Sequence, residues 1–314
     1  MKATPKRLCR HLSLFVALPV AAALLASAPA ASQTTEVVVA TAPHPAGHRG
    51  PALWKVADED TTIYLFGTVH ALPQDVEWYT GPIAAALDSA DSLVTEIPAN
   101  ATRDPASQQM VAGKAVLPAD KSLRDMLPES DRTAFEGALT TIGIPVNAFD
   151  RFEPWFAGMT LAVLPLMKNG WTAESGVEHV IEVKAGPDKT RGALETVDYQ
   201  IGLFDELPIQ SQIAFLMASA GNIDAIVPTM DRMVASWLTG DANGLATLMN
   251  EGLSDPTLAQ ALLYDRNAGW AEWIDRRLDQ PGTVFIAVGA GHLAGKQSVQ
   301  DFLEARAIPV TRLQ

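Results

Sequence analysis

From Ala52 onward the chain alternates short apolar runs with long stretches of helical period. Ala52-Leu53-Trp54-Lys55-Val56 and Thr62-Ile63-Tyr64-Leu65-Phe66-Gly67 flank the acidic turn Asp58-Glu59-Asp60, the pattern of a β-hairpin. Pro82 to Ala90 follows Gly81 as a short helix, and Ser92 to Ile97 reads as a strand stopped by Pro98. Between 100 and about 175 the pattern is helical, with one helix over Asp131–Ile142 and another over Trp155–Lys168, bent or broken at Pro165. Gly176 to Ala185 predicts a helical turn or two, and Arg191 to Glu195 a short strand. Asp198 to about Asp279 predicts a run of helices in which Trp237, Trp270 and Trp273 are core or groove residues. The chain closes with a strand at Thr283–Val288, the loop Gly289-Ala290-Gly291-His292, a helix over Gln297–Arg306 and a last strand at Ile308–Leu313. Strands at both ends with helices between them predict an α/β fold, a mixed β-sheet built from N- and C-terminal strands with a large helical insertion.

The first thirty residues follow a different logic. Lys2, Lys6, Arg7 and Arg10 precede an apolar run from Leu12 to Leu25 that contains Pro19, and small residues follow from Ala26. This is the make-up of a secretory signal, and the run is shorter than the roughly 20 apolar residues of a membrane span. Cleavage is expected after Ala30 or Ser32, which makes 1–30 a signal peptide, 31–50 a flexible linker and 51–314 the folded domain of a periplasmic or secreted protein with no stable membrane anchor. His44 and His48 fall in the linker and read as solvent-exposed.

Removing that signal sharpens the charge. The whole chain carries 23 Lys+Arg against 36 Asp+Glu, a net −13. The signal takes four basic residues and no acidic one, leaving 19 against 36, or −17. Such a balance argues against nucleic acid and anionic membranes as partners. Cys9, the one cysteine, leaves with the signal, so a disulfide framework and a Cys-ligated zinc site are both excluded. No G-x-S-x-G, H-E-x-x-H or phosphate-cradling glycine loop occurs.

The candidate chemistry is a repeated pattern. Gly67-Thr68-Val69-His70 and Gly289-Ala290-Gly291-His292 each follow an apolar strand, and ligand sites of open α/β sheets form beyond the carboxyl ends of strands. Gly67, Gly289 and Gly291 let the backbone turn tightly there. Glu96 and Glu195 stand at the tips of two further strands, where burial demands a partner. One reading is a divalent ion (Mn, Co or Zn) held by His70, His292 and Glu96, activating water, with a spare Glu as general base. The other is that the histidines are structural and the glutamates pair with arginine or cap helices.

Several of these segments, taken in order, resemble the TraB/GumN family: Leu65 to His70, Val94-Thr95-Glu96, Gly176-Val177-Glu178 with Lys189, Leu194-Glu195-Thr196 with Gln200, and Val288 to Gly295. The likeness runs from about 52 to 314. That family is grouped with the Tiki metalloproteases, the erythromycin esterase-like proteins and the haem-binding ChaN-like proteins. The resemblance implies an erythromycin esterase/ChaN-like (Tiki-like) fold, with His70 and His292 as its paired histidines and Glu96 and Glu195 as its acidic positions. Arg266-Asn267 before Trp270 resembles the family's Arg-Asn pair, and would bind a substrate carboxylate or pin a helix by a salt bridge. The family often has Asp where Glu178 stands, and His179 matches no motif and fits an exposed helix face. The expected function is an exported metal-dependent hydrolase, peptidase-like, of a peptide or small-molecule substrate. The alternatives are a non-catalytic accessory protein holding haem or another ligand, and structural histidines beneath an acidic surface that contacts a protein partner. Oligomeric state is left open.

Overall fold

The computed structural model describes residues 50–79, 81–252 and 256–314. The expected signal segment, Cys9, His44 and His48 lie outside the described residues. Among the described residues there are eight strands: β1 (Leu53–Ala57), β2 (Thr61–Thr68), β3 (Leu72–Pro73), β4 (Ser92–Thr95), β5 (Trp171–Thr172), β6 (Thr190–Ala193), β7 (Gly282–Gly289) and β8 (Thr311–Arg312). Helices α1 (Gly81–Ser89), α2 (Pro105–Lys114), α3 (Leu123–Met126), α4 (Glu129–Thr141), α5 (Pro154–Lys168) and α6 (Val177–Ala185) precede β6. Helices α7 (Val197–Asp205), α8 (Ile209–Gly221), α9 (Ile226–Leu238), α10 (Ala242–Gly252), α11 (Pro256–Ala259) and α12 (Asp265–Leu278) follow it, and α13 (Val299–Ala305) follows β7. Among the described residues no single helix is long and apolar enough to cross a membrane.

Six strands form one mixed sheet in the order β6-β4-β7-β2-β1-β8. β1 pairs antiparallel with β2 and β8, whereas β2, β7, β4 and β6 run parallel. The centre of that sheet is β7, whose Thr-Val-Phe-Ile-Ala-Val run reads as a strand buried on both faces. Its side chains divide by alternation. Phe285 and Ala287 join Phe66 and Leu93 in the core beneath the helical insertion, while Val284, Ile286 and Val288 join Ile63, Leu65 and Val94 beneath α12 and α13. Helix therefore covers both faces, and the parallel pairing of β2 with β7 sets Gly67 beside Val288.

The expected hairpin, α/β class and mixed sheet are all present, with corrections at particular elements. The Trp155–Lys168 helix is not broken into two elements: α5 continues through Pro165, and its last turn is held by Asn169, whose backbone and side-chain N–H groups both reach Pro165 O. The last strand shrinks from Ile308–Leu313 to Thr311–Arg312, because Ile308 N turns back to cap Leu303 O and Pro309 has no N–H to donate. The expected helical stretch before 175 is interrupted by β5, which pairs with β3. The final helix starts at Val299, not Gln297, because Ser298 accepts from Asp301 N as its cap.

Candidate functional site

The two G-x-x-H turns meet where β2 and β7 end. A Cβ on Gly67 would lie 2.9 Å from Ala290 Cα, so glycine is what allows the turns to touch. Trp237 Nε1 donates to Gly67 O (2.8 Å), locking the same backbone from the helical side. Gly67→Ala is expected to destabilise the fold by about 1–3 kcal/mol through overpacking; an unchanged urea midpoint would show that the two turns yield freely.

Glu96, one residue beyond β4, is 6 % exposed and reaches over to the second turn. Its Oε1 accepts from Gly289 N (2.7 Å) and its Oε2 from Arg266 Nη2 (2.7 Å) and Gln200 Nε2 (2.9 Å). Glu195, two residues beyond β6, holds the same partners from the other side: Arg266 Nε and Nη2 at 2.9 and 2.8 Å, Gln200 Nε2 at 2.9 Å, and Trp270 Nε1 at 2.8 Å. Arg266 therefore lies between two buried carboxylates. Its Nη1 group donates to Leu262 O (3.1 Å) and to His292 Nε2 (3.1 Å), so all five guanidinium N–H groups are engaged.

Local backbone prepares this position. Gln260–Tyr264 forms a π-helical turn entering α12, with Asp265 N reaching back to Gln260 O. Such turns perturb the carbonyl ladder of a helix. Here Leu262 O points to the Arg266 side chain, and the guanidinium lies 4.9 Å from the Trp270 ring.

His292 is fixed by the residue after Arg266. Asn267 Nδ2 donates to Gln297 O (2.7 Å), which turns Asn267 Oδ1 toward His292 Nδ1 (2.6 Å). The network thus assigns the proton to Nδ1 and the lone pair to Nε2, where Arg266 donates. Burial and then the nearby Arg266 charge hold the His292 pKa well below the ordinary histidine range, which keeps the ring neutral. Its ring packs against Trp270 at 4.3 Å between centroids.

His70 has other partners. Gly176 lies so close to His70 O that a Cβ there would overlap it, and Val177 N donates to Val69 O (2.9 Å). These contacts bring the start of α6 against the first turn and aim Glu178 at it. Glu178 Oε1 accepts from Thr68 Oγ1 (2.5 Å) and forms an ion-pair contact with His70 Nδ1 at 2.5 Å. His70 Nε2 is buried with no hydrogen-bond partner among the described residues. Burial alone would depress this histidine, but Glu178 and, more weakly, Glu96 outweigh it and raise its pKa above the ordinary value. His70, Glu96, Arg266 and His292 all sense one another's charge.

The structure thus gathers His70, Glu96, Glu195, Arg266, Asn267 and His292 at one end of the sheet. Their pairing is that of the second reading rather than of a metal ligand set. The glutamates pair with arginine, and Arg266 and Asn267 are committed within the protein, with no guanidinium donor left for a substrate carboxylate. Glu178 and Gln200 are central. Gln200 belongs to a motif segment that by itself assigns it no role, and Glu178 stands where the family often has Asp; the Gly176-Val177 pair before Glu178 is the signal that points to it. His179 is half-buried on α6 and meets Arg103 Nη2 at 3.4 Å, away from this cluster.

A divalent ion fits only part of this arrangement. His70 Nε2 is an orphaned buried acceptor of the kind a ligand satisfies. The lone pair of His292 Nε2 is taken by Arg266, however, and Glu96 Oε2 is held by Arg266 and Gln200. Among the described residues no three His, Cys, Asp or Glu side chains are grouped to hold a metal ion. As arranged, His70, His292 and Glu96 do not form a ligand set.

Comparison with known proteins agrees in extent with the motif pattern. An uncharacterized protein of Treponema pallidum (strain Nichols) is 23% identical over 278 residues, covering 83% of this chain and 82% of that relative. No solved structure matches. The profile of the TraB/PrgY/gumN family matches residues 52–312, from the first strand of the sheet to the last, and the chain belongs to that family.

Proposed function

We propose that the protein is an exported hydrolase of amide or peptide bonds in which His70, steadied by Glu178, is the general base. The observation that carries this reading is the buried, unpartnered Nε2 of His70 beyond the carboxyl end of β2, with Glu178 against the other ring nitrogen. In the reaction, Nε2 takes a proton from water as the water oxygen bonds to the carbonyl carbon. The carbon–nitrogen bond then breaks, and the proton passes to the leaving amine. Arg266, Glu96, Glu195 and Gln200 act as a rigid charged floor that positions rather than reacts. Export rests on the basic and apolar character of the first thirty residues. Kinship with the Tiki and ChaN-like proteins is part of the proposal.

The metal-dependent form of this function has less support, because two of its three ligands are already committed to Arg266. The test is cleavage of a mixed peptide and amide library by the chain freed of its signal. Cleavage is expected to survive exhaustive chelation and to vanish in His70→Ala. Activity lost on chelation and restored by Mn, Co or Zn would return the reaction to metal chemistry. No cleavage at all, with a Soret band on haem titration that disappears in His70→Ala, would make the protein a haem carrier.

A further inference from the structure

The hydrogen-bonding capacity around His70 is one-sided. Every N–H of Arg266 is spent, both N–H groups of Gln200 point at Glu96 and Glu195, and the Trp270 N–H points at Glu195. Asn267 Nδ2 donates to Gln297 O, and His292 Nδ1 donates to Asn267 Oδ1. With His70 neutral, the groups nearest it that remain for a newcomer are acceptors: His70 Nε2, the second carboxylate oxygen of Glu178, and the remaining lone pair on Glu96 Oε1.

The charge is equally one-sided. Three carboxylates, Glu96, Glu178 and Glu195, face one guanidinium, Arg266, while His292 is neutral. The cluster is therefore in negative excess by two charges when His70 is neutral. Among these side chains Glu178 is the one that reaches solvent, at 28 % exposed, against 5 % for His70 and 8 % for Glu96. With His70 neutral, a carboxylate substrate group would meet no donor on these side chains and would add to the excess.

We propose that the bond acted on lies beside a cationic group of the substrate, an ammonium or guanidinium that docks at Glu178 beside His70 and Glu96. This rests on the hydrolase reading and names its substrate class. A docked cation offers the N–H donors the site lacks and cancels part of its negative excess. It also releases His70. In the free protein Glu178 and Glu96 favour the protonated ring, whereas a cation among them favours the neutral base. The substrate's own charge therefore brings the base into its working form.

The test reads the pocket without turnover. In histidine-labelled chain lacking the signal, the His70 ring carbon is followed by NMR through a pH titration, with n-butylguanidinium or n-butylammonium added, and butyramide or butyrate as controls. The cations are expected to lower the His70 midpoint by about one pH unit, the effect of one charge a few ångströms away. Glu178→Gln is expected to weaken that shift. The proposal is overturned if saturating cation leaves the midpoint in place, if butyramide or butyrate acts equally, or if MnCl2 broadens the His70 signal and neither cation relieves it. Among amides that are cleaved, those with lysine or arginine are expected to exceed the norleucine isostere about 10-fold or more in kcat/KM. Cleavage without that preference overturns the cationic class and leaves the hydrolase standing.

Discussion

Arg266→Met is expected to lower the stability of the fold by about 3–5 kcal/mol, the cost of leaving buried charges without their partner. The side chain of Arg266 is 1 % exposed, and its removal strands Glu96 and Glu195 together with the Nε2 acceptor of His292. The loss should depend on pH in a defined sense. Burial would raise the Glu96 pKa, but Arg266, the neighbouring histidines and Gly289 N outweigh it and bring it down to about 2, from an ordinary value of 4.5. A carboxyl depressed in the folded state stabilises the protein above its unfolded pKa, and that stabilisation disappears as pH falls through the folded value. The wild type should therefore lose about 3 kcal/mol between pH 4.5 and 2 from this group, and Arg266→Met should lose much less over that window. His292, depressed in the fold, also withdraws stability as pH drops below 6.5, whereas His70, raised in the fold, acts in the opposite sense. Urea titrations at pH 7, 4.5 and 2 measure these effects. Combining Arg266→Met with Glu96→Gln and Glu195→Gln should restore part of the pH 7 loss, since neutral amides tolerate burial better than unpaired carboxylates. A single variant within about 0.5 kcal/mol of wild type would mean that water reaches the glutamates and the network is not closed.

The other large effect concerns His70. Its removal in His70→Ala should reduce kcat/KM about 10²–10⁴-fold, the usual contribution of a general base. Loss of rate alone would not separate a base from a structural histidine, so the informative variant is Glu178→Gln. Glu178 raises the His70 pKa, and activity that needs the neutral ring should rise with pH along a limb centred above 6.5. With Glu178 neutral, burial and Arg266 remain and both depress the ring, so the limb should move to lower pH even as the rate falls. A structural role predicts lower rate with the limb unmoved. That result would remove His70 from the chemistry.

Much of the fold was legible before the structure because local pattern carries it. The hairpin at 53–68, the buried run of β7 and the helical middle follow from periodicity and turn residues. Errors fell where a neighbour distant in sequence, or one missing N–H, decides the outcome. Ile308–Leu313 has strand composition, but a helix cap and Pro309 leave it only two paired residues. Pro165 suggests a break, yet it stands close enough to the end of α5 for Asn169 to secure the last turn.

The site divides in the same way. Spacing along the chain places the side chains that stand at strand ends: His70 and His292 after glycine turns, Glu96 and Glu195 beyond β4 and β6, with no cysteine among the candidate ligands. These depend on spacing along single elements. What those groups do to one another follows from packing between distant segments. Parallel pairing of β6, β4, β7 and β2 brings four strand ends level, α12 crosses them with Arg266, and α6 sets Glu178 on His70. A buried carboxylate takes the nearest well-placed cation, and in this fold that cation is the guanidinium of Arg266. Two histidines with the same motif are thereby made unlike: His292 neutral with its lone pair occupied, and His70 with its Nε2 still unpartnered.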